Sequence, residues 1–321
     1  MKISILDDYQ DAVRHLKCFH MLSGYNVEIL TKTEKEPYIL ASKLNESDIV
    51  VLIRERTNIT EELLQQLPKL KLISQTGKIS NHINLDVCNK YGVAVAEGMG
   101  SPIAPAELTW ALILNSVRKI PQAIAGMQNG DWQTNIGSTI YGKTIGIWGY
   151  GKIGQKIAQY AKVFGANVLV WGSERSCNKA IDHGFESALS KSQFFNKSDI
   201  VTLHLRLNEN TIGIVRETDL MEMKEGSTLI NTARFELFEE NALLNVLQSG
   251  KKINVGLDVY DSEPIYDIKH ELLNMENVNC TPHIGYVEEN SYELYFSKAF
   301  ENVVNYIKGE PSNVANPEAL K

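Results

Sequence analysis

The stretch GIWGYGKIGQKIAQYA, residues 146–161, decides how this chain folds. A short apolar run leads into a glycine-rich turn, and the turn leads into a segment with the apolar spacing of a helix. Within the turn, Gly149, Gly151 and Gly154 form the pattern G-x-G-x-x-G. A strand, turn and helix of this kind can cradle a pyrophosphate, because glycines let the backbone approach it and the helix N-terminus attracts negative charge. The sequence therefore predicts a dinucleotide-binding unit.

The same alternation of strand and helix runs through most of the chain. The predicted strands lie in KISILDD, YNVEIL, DIVVLI, LKLISQT and GVAVAEG, and then in KTIGIWGYG, NVLVW, DIVTLHL, STLINTA, INVGLDVY and VNCTPHIG. Such alternation is typical of parallel sheets covered by helices on both faces. Because 321 residues exceed the usual size of one hydrophobic core, we predict an α/β protein with two doubly wound parallel-sheet domains.

Composition and charge narrow the class of protein. A hydrophobic content of 43% with 22% charged residues is typical of a globular protein. A net charge of −7 disfavours a nucleic-acid surface, and no apolar run is long enough to predict a membrane span. The cysteines are widely scattered, which favours reduced thiols in a cytoplasmic protein, and no His, Cys and Asp cluster has metal-ligand spacing. We therefore predict a cytoplasmic protein without a metal site.

Two long segments have helical patterns. Residues 104–120, APAELTWALILNSVRKI, are apolar nearly all round, with Pro105 suited to the first turn and Pro121 expected to end the helix. We expect this helix to be buried between domains or subunits and to help form a homodimer. The segment 291–309 is predicted to dock on the first domain through one apolar face, which comprises Tyr295, Ala299, Val303 and Ile307.

The strand end in VLVWGSERS, residues 168–176, bears on which dinucleotide is bound. An Asp or Glu at this point ordinarily binds the adenosine ribose and favours NAD over NADP. Gly172 stands there instead, and Ser173 and Arg175 offer a hydroxyl and a guanidinium suited to a phosphate. Glu174 could either reach the ribose or be solvated. We predict that NADP is accepted at least as well as NAD.

Three further stretches follow predicted strands of the second domain, at the edge where open α/β sheets hold their ligands. INTARFE contains Arg234, GLDVYDSEP contains Asp258 and Glu263, and CTPHIGY contains His283. Hydride delivery to a carbonyl builds charge on oxygen, and a histidine is suited to supply the proton. A carboxylate can orient that histidine, and an arginine can grip a substrate carboxylate together with the carbonyl oxygen.

These stretches closely resemble the D-isomer-specific 2-hydroxyacid dehydrogenase family, in the family's order and over almost the whole chain. The matching motifs are LKLISQTG, AVAEG, APAEL, GKTIGIWGYGKIG, DIVTLHL, LINTAR, GLDVYDSEP and TPHIG. The resemblance implies that Arg234, Glu263 and His283 are the catalytic set. It also implies a flavodoxin-like substrate domain of residues 1–99 and 288–321, and a Rossmann NAD(P)-binding domain of residues 100–287, hinged with a cleft between them.

The resemblance also implies roles for individual residues near the cofactor, with Asp258 and the backbone of Thr232 and Ala233 at the nicotinamide end and Thr109 close by. Together with the motif, the predicted cofactor-binding residues are Gly149, Tyr150, Gly151, Lys152, Ile153, Gly154, Ser173, Arg175, Thr109, Thr232, Ala233, Asp258, His283 and Gly285. The predicted substrate-binding residues are Gly77, Lys78, Ile79 and Arg234. The family's loop usually reads G-x-G, so Ile79 indicates a reshaped loop and Lys78 adds a cation.

The resulting expectation is an NAD(P)-dependent oxidoreductase that interconverts a small 2-oxo acid, of glyoxylate or hydroxypyruvate type, and its 2-hydroxy acid. Lys78 motivates one alternative, the oxidation of a small anion such as phosphite. A second alternative is a protein that senses dinucleotides without catalysis, although a sensor would not need Arg234, Glu263 and His283.

Other polar side chains have simpler interpretations. His204, in DIVTLHL, is predicted to be a strand residue that faces a helix rather than a catalyst. Arg54 and Arg56 follow a first-domain strand and could either reach the cleft or belong to a solvated charge pattern. His82 is close to the loop of Lys78 and could have a supporting role.

Overall fold

The computed structural model describes all residues, 1–321, and the chain forms two compact units. Unit 1 comprises Met1–Ser101 and Glu288–Lys321, and unit 2 comprises Pro102–Val287. Each unit is built on its own sheet, and every strand pairing in both sheets is parallel. The prediction of an α/β protein with two doubly wound parallel sheets is confirmed.

Twelve strands make up the two sheets. Unit 1 contains β1 (Lys2–Ile5), β2 (Asn26–Ile29), β3 (Ile49–Leu52), β4 (Leu72–Gln75) and β5 (Ala94–Ala96). Unit 2 contains β6 (Thr144–Trp148), β7 (Asn167–Trp171), β8 (Glu186–Ser187), β9 (Ile200–Leu203), β10 (Thr228–Asn231), β11 (Asn254–Leu257) and β12 (Val278–Cys280). All the strands expected from apolar runs are present, and the two-residue β8 is the one that the sequence did not indicate.

Eleven α-helices connect or flank these strands, and none is long and apolar enough to cross a membrane. They are α1 (Pro37–Leu44), α2 (Glu61–Gln65), α3 (Leu85–Lys90), α4 (Ile103–Arg118), α5 (Ile120–Gln128), α6 (Lys152–Val163), α7 (Glu174–Asp182), α8 (Lys191–Lys197), α9 (Glu217–Met221), α10 (Ala242–Gln248) and α11 (Glu289–Ile307).

Unit 1 has the strand order β2-β1-β3-β4-β5. Both β3 and β4 are buried along their full length, as expected of central strands covered on two faces. The C-terminal helix α11 packs on this sheet, where the Ser74 hydroxyl donates to the Ala299 carbonyl at 2.8 Å. Tyr295, Phe296 and Val303 of α11 are buried, as expected for apolar residues that repeat at helical spacing along one face.

Unit 2 has the order β12-β11-β10-β9-β6-β7-β8. The chain runs outward from β6 to β7 and β8, then returns to add β9 on the other side of β6. This reversal creates a crevice at the carboxyl ends of β6 and β9, where open sheets bind ligands. The glycine turn follows β6 directly and therefore lies at that crevice.

The apolar helix of residues 104–120 differs from its prediction in two respects. It ends at Arg118, because Lys119 takes a left-handed backbone conformation with φ of 52°, and Pro121 lies in the first turn of α5 rather than ending α4. Moreover, α4 packs on β10, β11 and α6 of its own unit. Its all-round apolar character is thus satisfied largely within unit 2, because a helix laid across a sheet and beside another helix buries most of its surface.

Candidate active site

The glycine turn after β6 has the geometry that a pyrophosphate requires. Gly149 has φ of +101°, and a Cβ there would lie 2.6 Å from the His204 carbonyl oxygen. A Cβ on Gly154 would lie 2.1 Å from the Gly149 carbonyl oxygen, so close packing of α6 on β6 excludes any side chain. At Gly151 no atom lies within 4 Å of that position, so the backbone at the start of α6 is open to an approaching phosphate. These residues fit a dinucleotide.

The other predicted residues of this turn have different surroundings. Tyr150 is buried, and its hydroxyl is 3.0 Å from Nδ1 of His183, so it fixes the turn to the end of α7. Lys152 is exposed as the first residue of α6, whereas Ile153 is half-buried and packs against the core of unit 2.

At the end of β7, the predicted phosphate contacts lie at a helix N-terminus. Ser173 is the N-cap of α7, and its hydroxyl accepts a hydrogen bond from the Ser176 backbone. Glu174 and Arg175 are exposed in the first turn. A Cβ on Gly172 would meet its nearest neighbour, Ser176 Cβ, at 3.4 Å, so packing does not demand glycine at this position.

The predicted acid-base pair is brought together at the carboxyl ends of β11 and β12. His283 Nδ1 lies 2.5 Å from Glu263 Oε2, although the two residues are 20 positions apart. The other carboxylate oxygen of Glu263 accepts from the Tyr260 backbone at 2.9 Å. His283 has a left-handed backbone with φ of 50°, and its ring meets that of Tyr286 edge-on. Both partners of this hydrogen bond are therefore oriented by their surroundings.

Asp258 holds the turn that carries His283. Its buried carboxylate accepts from the backbone of Ile284 and Gly285, each at 2.8 Å, and from the Thr281 hydroxyl at 2.6 Å. Burial raises the pKa of Asp258, while these hydrogen bonds act in the opposite direction. The geometry thus shows Asp258 positioning the turn, and its expected contact with the nicotinamide stays a prediction.

The turn after β10 places Arg234 at the same edge of the sheet. Asn231 accepts from the Ala233 backbone at 3.0 Å and donates to the Arg234 carbonyl at 2.8 Å. The Thr109 hydroxyl on α4 lies 2.7 Å from that of Thr232, so the two predicted cofactor residues meet. The sequence analysis gave Asn231 and Tyr260 no role. The Asn231 amide and the Tyr260 hydroxyl both donate to backbone carbonyls of nearby turns, and no sequence pattern indicates such contacts.

His204 directly follows β9 rather than lying in the strand as expected, and its backbone packs against the glycine turn. Its Nε2 lies 3.0 Å from the Thr202 hydroxyl, and burial lowers its pKa to about 3. A ring that stays neutral near pH 7 is not a proton donor there, which agrees with the expectation that His204 is not a catalyst.

The loop after β4 in unit 1 contains the predicted substrate residues. The Arg54 guanidinium lies over Gly77, where a Cβ would be 2.1 Å from its Nη1. Lys78 Nζ is 2.6 Å from Glu97 Oε2, and the Ile79 backbone donates to Glu97 Oε1 at 3.0 Å. The sequence analysis did not single out Glu97, because in sequence it is only the single polar residue of the AVAEG motif.

Known proteins resemble this chain along its length. Residues 110–285 match the model of the D-isomer specific 2-hydroxyacid dehydrogenase NAD binding domain. A glyoxylate reductase from Thermococcus litoralis is 32% identical over 92% of this chain and 92% of its own. A D-3-phosphoglycerate dehydrogenase from Methanocaldococcus jannaschii is 32% identical over 98% of this chain, which spans only 59% of that relative. The crystal structure of a phosphoglycerate oxidoreductase from Vibrio cholerae O395 superposes with a TM-score of 0.94 at 50% identity, covering 96% of this chain and 99% of that one.

The fold, the glycine turn and these similarities define a two-domain α/β protein with an NAD-binding domain. The chain belongs to the D-isomer-specific 2-hydroxyacid dehydrogenase family. The resemblance expected from the motifs is confirmed, as is the presence of an NAD-binding domain.

Proposed function

We propose that this protein interconverts a small 2-oxo acid and its D-2-hydroxy acid with NAD(P)H or NAD(P)⁺ as hydride carrier. The observation that carries the proposal is the 2.5 Å contact between His283 and Glu263 at the carboxyl edge of a dinucleotide-binding sheet. An acid-base pair next to a hydride carrier is what reduction of a carbonyl needs, and a protein that only sensed dinucleotides would not need it.

The roles of the side chains follow from their contacts. Glu263 engages Nδ1 of His283, so Nε2 is the ring nitrogen that can exchange a proton with the substrate oxygen. The carboxylate stabilises the protonated ring by charge and holds its orientation. The bound nicotinamide supplies or accepts the hydride. Arg234 is proposed to bind the substrate carboxylate and carbonyl oxygen, since a guanidinium offers parallel donors to such a pair.

We propose the loop of Gly77, Lys78 and Ile79 as a further substrate contact. Supporting this, the loop follows β4 at the carboxyl edge of its sheet, the edge where open α/β sheets bind ligands. The alternative of phosphite oxidation depended on Lys78 as an additional cation. Its charge is already paired with Glu97, so the structure gives that alternative no added support.

For the cofactor, we propose that NADP is accepted at least as well as NAD. Support comes from Gly172, which packing does not require, and from Arg175 in the first turn of α7, whose N-terminus favours a phosphate. A Gly172→Asp variant tests this directly, because a carboxylate there should repel a 2′-phosphate and bind the ribose diol. Arg175→Ala should weaken NADPH binding and leave NADH binding nearly unchanged.

We also propose a homodimer in the cytoplasm. The segment that follows α4 exposes several large apolar side chains, and exposed apolar surface of this kind is typical of a protein interface. They include Met127 (68% exposed), Trp132 (77%), Ile136 (90%) and Tyr141 (79%). A molecular mass in light scattering equal to that of one chain would refute the dimer. The widely separated cysteines support a reducing compartment.

The proposed function is tested by titrating the protein with NADPH and with NADH and following nicotinamide fluorescence. Glyoxylate, hydroxypyruvate or pyruvate is then added. Decay of the signal with a 2-oxo acid is the expected result, with NADPH bound at least as tightly as NADH. Binding without decay for every acid would contradict the proposal and favour a dinucleotide-sensing role.

A further inference from the structure

The loop after β4 already binds a carboxylate that belongs to the protein. Glu97 accepts from the Lys78 ammonium through Oε2 at 2.6 Å and from the Ile79 backbone through Oε1 at 3.0 Å. Cations and backbone amides are common donors to carboxylate ligands in proteins. In this loop both donors are engaged by the same internal carboxylate.

The backbone of Glu97 is held on both sides. Its N–H donates to the Asn313 carbonyl at 2.9 Å, and its carbonyl accepts from the Asn302 side chain at 3.0 Å. The next residue, Gly98, donates to the Gly77 carbonyl at 2.9 Å, and a Cβ on Gly98 would lie 2.5 Å from the Gln75 carbonyl oxygen. The carboxylate is thus built into the loop, and its side chain is 24% exposed, against 64% for Lys78.

Charges along the whole carboxyl edge of this sheet are balanced in the same way. The residues that follow the five strands include the cations Lys32, Lys35, Arg54, Arg56 and Lys78 and the carboxylates Asp7, Asp8, Glu34, Glu36, Glu55 and Glu97. Arg54 lies 3.7 Å from Glu55, and Arg56 donates to the Asp7 carbonyl at 2.6 Å. The edge therefore has no net positive charge with which to attract a second anionic group on a substrate.

We infer that Glu97 determines substrate specificity, by neutralising Lys78 and engaging the Ile79 amide, so that the protein favours acids with a single carboxylate over phosphorylated acids. The inference rests on the proposed function. It predicts that this chain disfavours a phosphorylated acid, which is the kind of substrate that the name D-3-phosphoglycerate dehydrogenase indicates for several of its relatives. The Glu97 carboxylate repels the negatively charged phosphoryl group of such an acid, and like charges at a binding site weaken binding of the partner that carries them.

The experiment compares hydroxypyruvate with its 3-phosphate ester, two acids that differ only in the phosphoryl group. For each, kcat and KM are measured with the wild-type protein and with Glu97→Gln. We expect the wild type to favour hydroxypyruvate. In Glu97→Gln, the ratio of kcat/KM for the phosphorylated acid over the unphosphorylated acid should rise about tenfold, mainly through KM, because one negative charge is removed near the binding loop.

Glu46→Gln is the matched control, because Glu46 also pairs with a lysine, Lys69, but precedes β3 at the opposite edge of the sheet. Its ratio should equal that of the wild type. Lys78→Gln provides an independent test that does not alter Glu97: it leaves the carboxylate without its cation, so the same ratio should fall about tenfold.

The outcomes are distinguishable. Equal loss of kcat/KM for both acids in Glu97→Gln would make Glu97 a structural residue and overturn the inference, as would an unchanged ratio in Glu97→Gln. A wild-type protein that turns over neither acid nor glyoxylate overturns the proposed function instead. Should Glu97→Gln not fold, an unchanged ratio in Lys78→Gln alone overturns the inference.

Discussion

Charged residues line the carboxyl ends of both parallel sheets, but the two sheets use them differently. In unit 2, the polar groups form directed contacts, such as His283 with Glu263 and Asp258 with the turn of residues 281–285. In unit 1, cations and carboxylates pair with one another, as Lys78 does with Glu97. The same architecture thus presents groups suited to proton transfer at one edge and a balanced charge surface at the other, so fold alone does not assign function.

The largest expected effect breaks the directed contact in unit 2. His283→Ala removes the proposed acid-base group, so kcat should fall by roughly 10² to 10⁴. The dissociation constant of NADPH should stay within about twofold, because the glycine turn is intact. Stopped-flow and fluorescence titration measure the two quantities. Turnover equal to that of the wild type would remove His283 from the mechanism.

A second comparison lies within the glycine turn. Gly154→Ala places a methyl group 2.1 Å from the Gly149 carbonyl oxygen, so the free energy of unfolding should fall by about 3 kcal/mol. Gly151→Ala meets no atom within 4 Å and should cost far less stability, while it weakens dinucleotide binding. Urea denaturation and cofactor titration separate the two effects. Equal losses of stability would contradict the division between packing and ligand approach.

In unit 1, the balanced edge depends on a distant helix. Asn302 on α11 is buried, and its side-chain amide donates to the Glu97 backbone carbonyl. The side-chain oxygen of Asn302 accepts from the Asn313 side chain at 2.8 Å. Asn302→Ala should lower the free energy of unfolding by about 2 kcal/mol, because the hydrogen bonds of this buried side chain are lost. The neighbouring exposed Glu301→Gln is the control and should change it by less than about 0.5 kcal/mol. Chemical denaturation of both variants measures these two changes, and equal changes would contradict the prediction.

The effect that is smallest near neutral pH is a pH dependence that arises at the edge of unit 2. The pKa of His204 falls from 6.5 to about 3 on folding, so the unfolded chain binds the proton more readily between those values. Stability from the neutral ring is complete above pH 6.5 and is lost as the pH falls toward 3. One proton limits the slope to about 1.4 kcal/mol per pH unit, and the half-buried ring should give less. The stability curve of His204→Asn should be flatter over this window; identical curves would contradict the shift.

Much of the fold was predictable because its signals are local. Apolar runs of strand length, a turn with the spacing of Gly149, Gly151 and Gly154, and an intervening helical pattern each depend on near neighbours in the chain. The end of α4 was placed wrongly, since Pro121 suits the first turn of a following helix as well as it ends a preceding one. The left-handed Lys119 that separates the two helices carries no such signal.

The sequence by itself determined the class of fold, the family and the residue types available for hydride transfer, because motifs after parallel strands must gather at one edge of a sheet. Only the tertiary structure decided the partners: the contact of His283 with Glu263, the closure of the turn on Asp258, and the pairing of Lys78 with Glu97. The physical reason is that hydrogen bonds and ion pairs act over a few ångströms, and the residues they join are 19 to 27 positions apart in the chain.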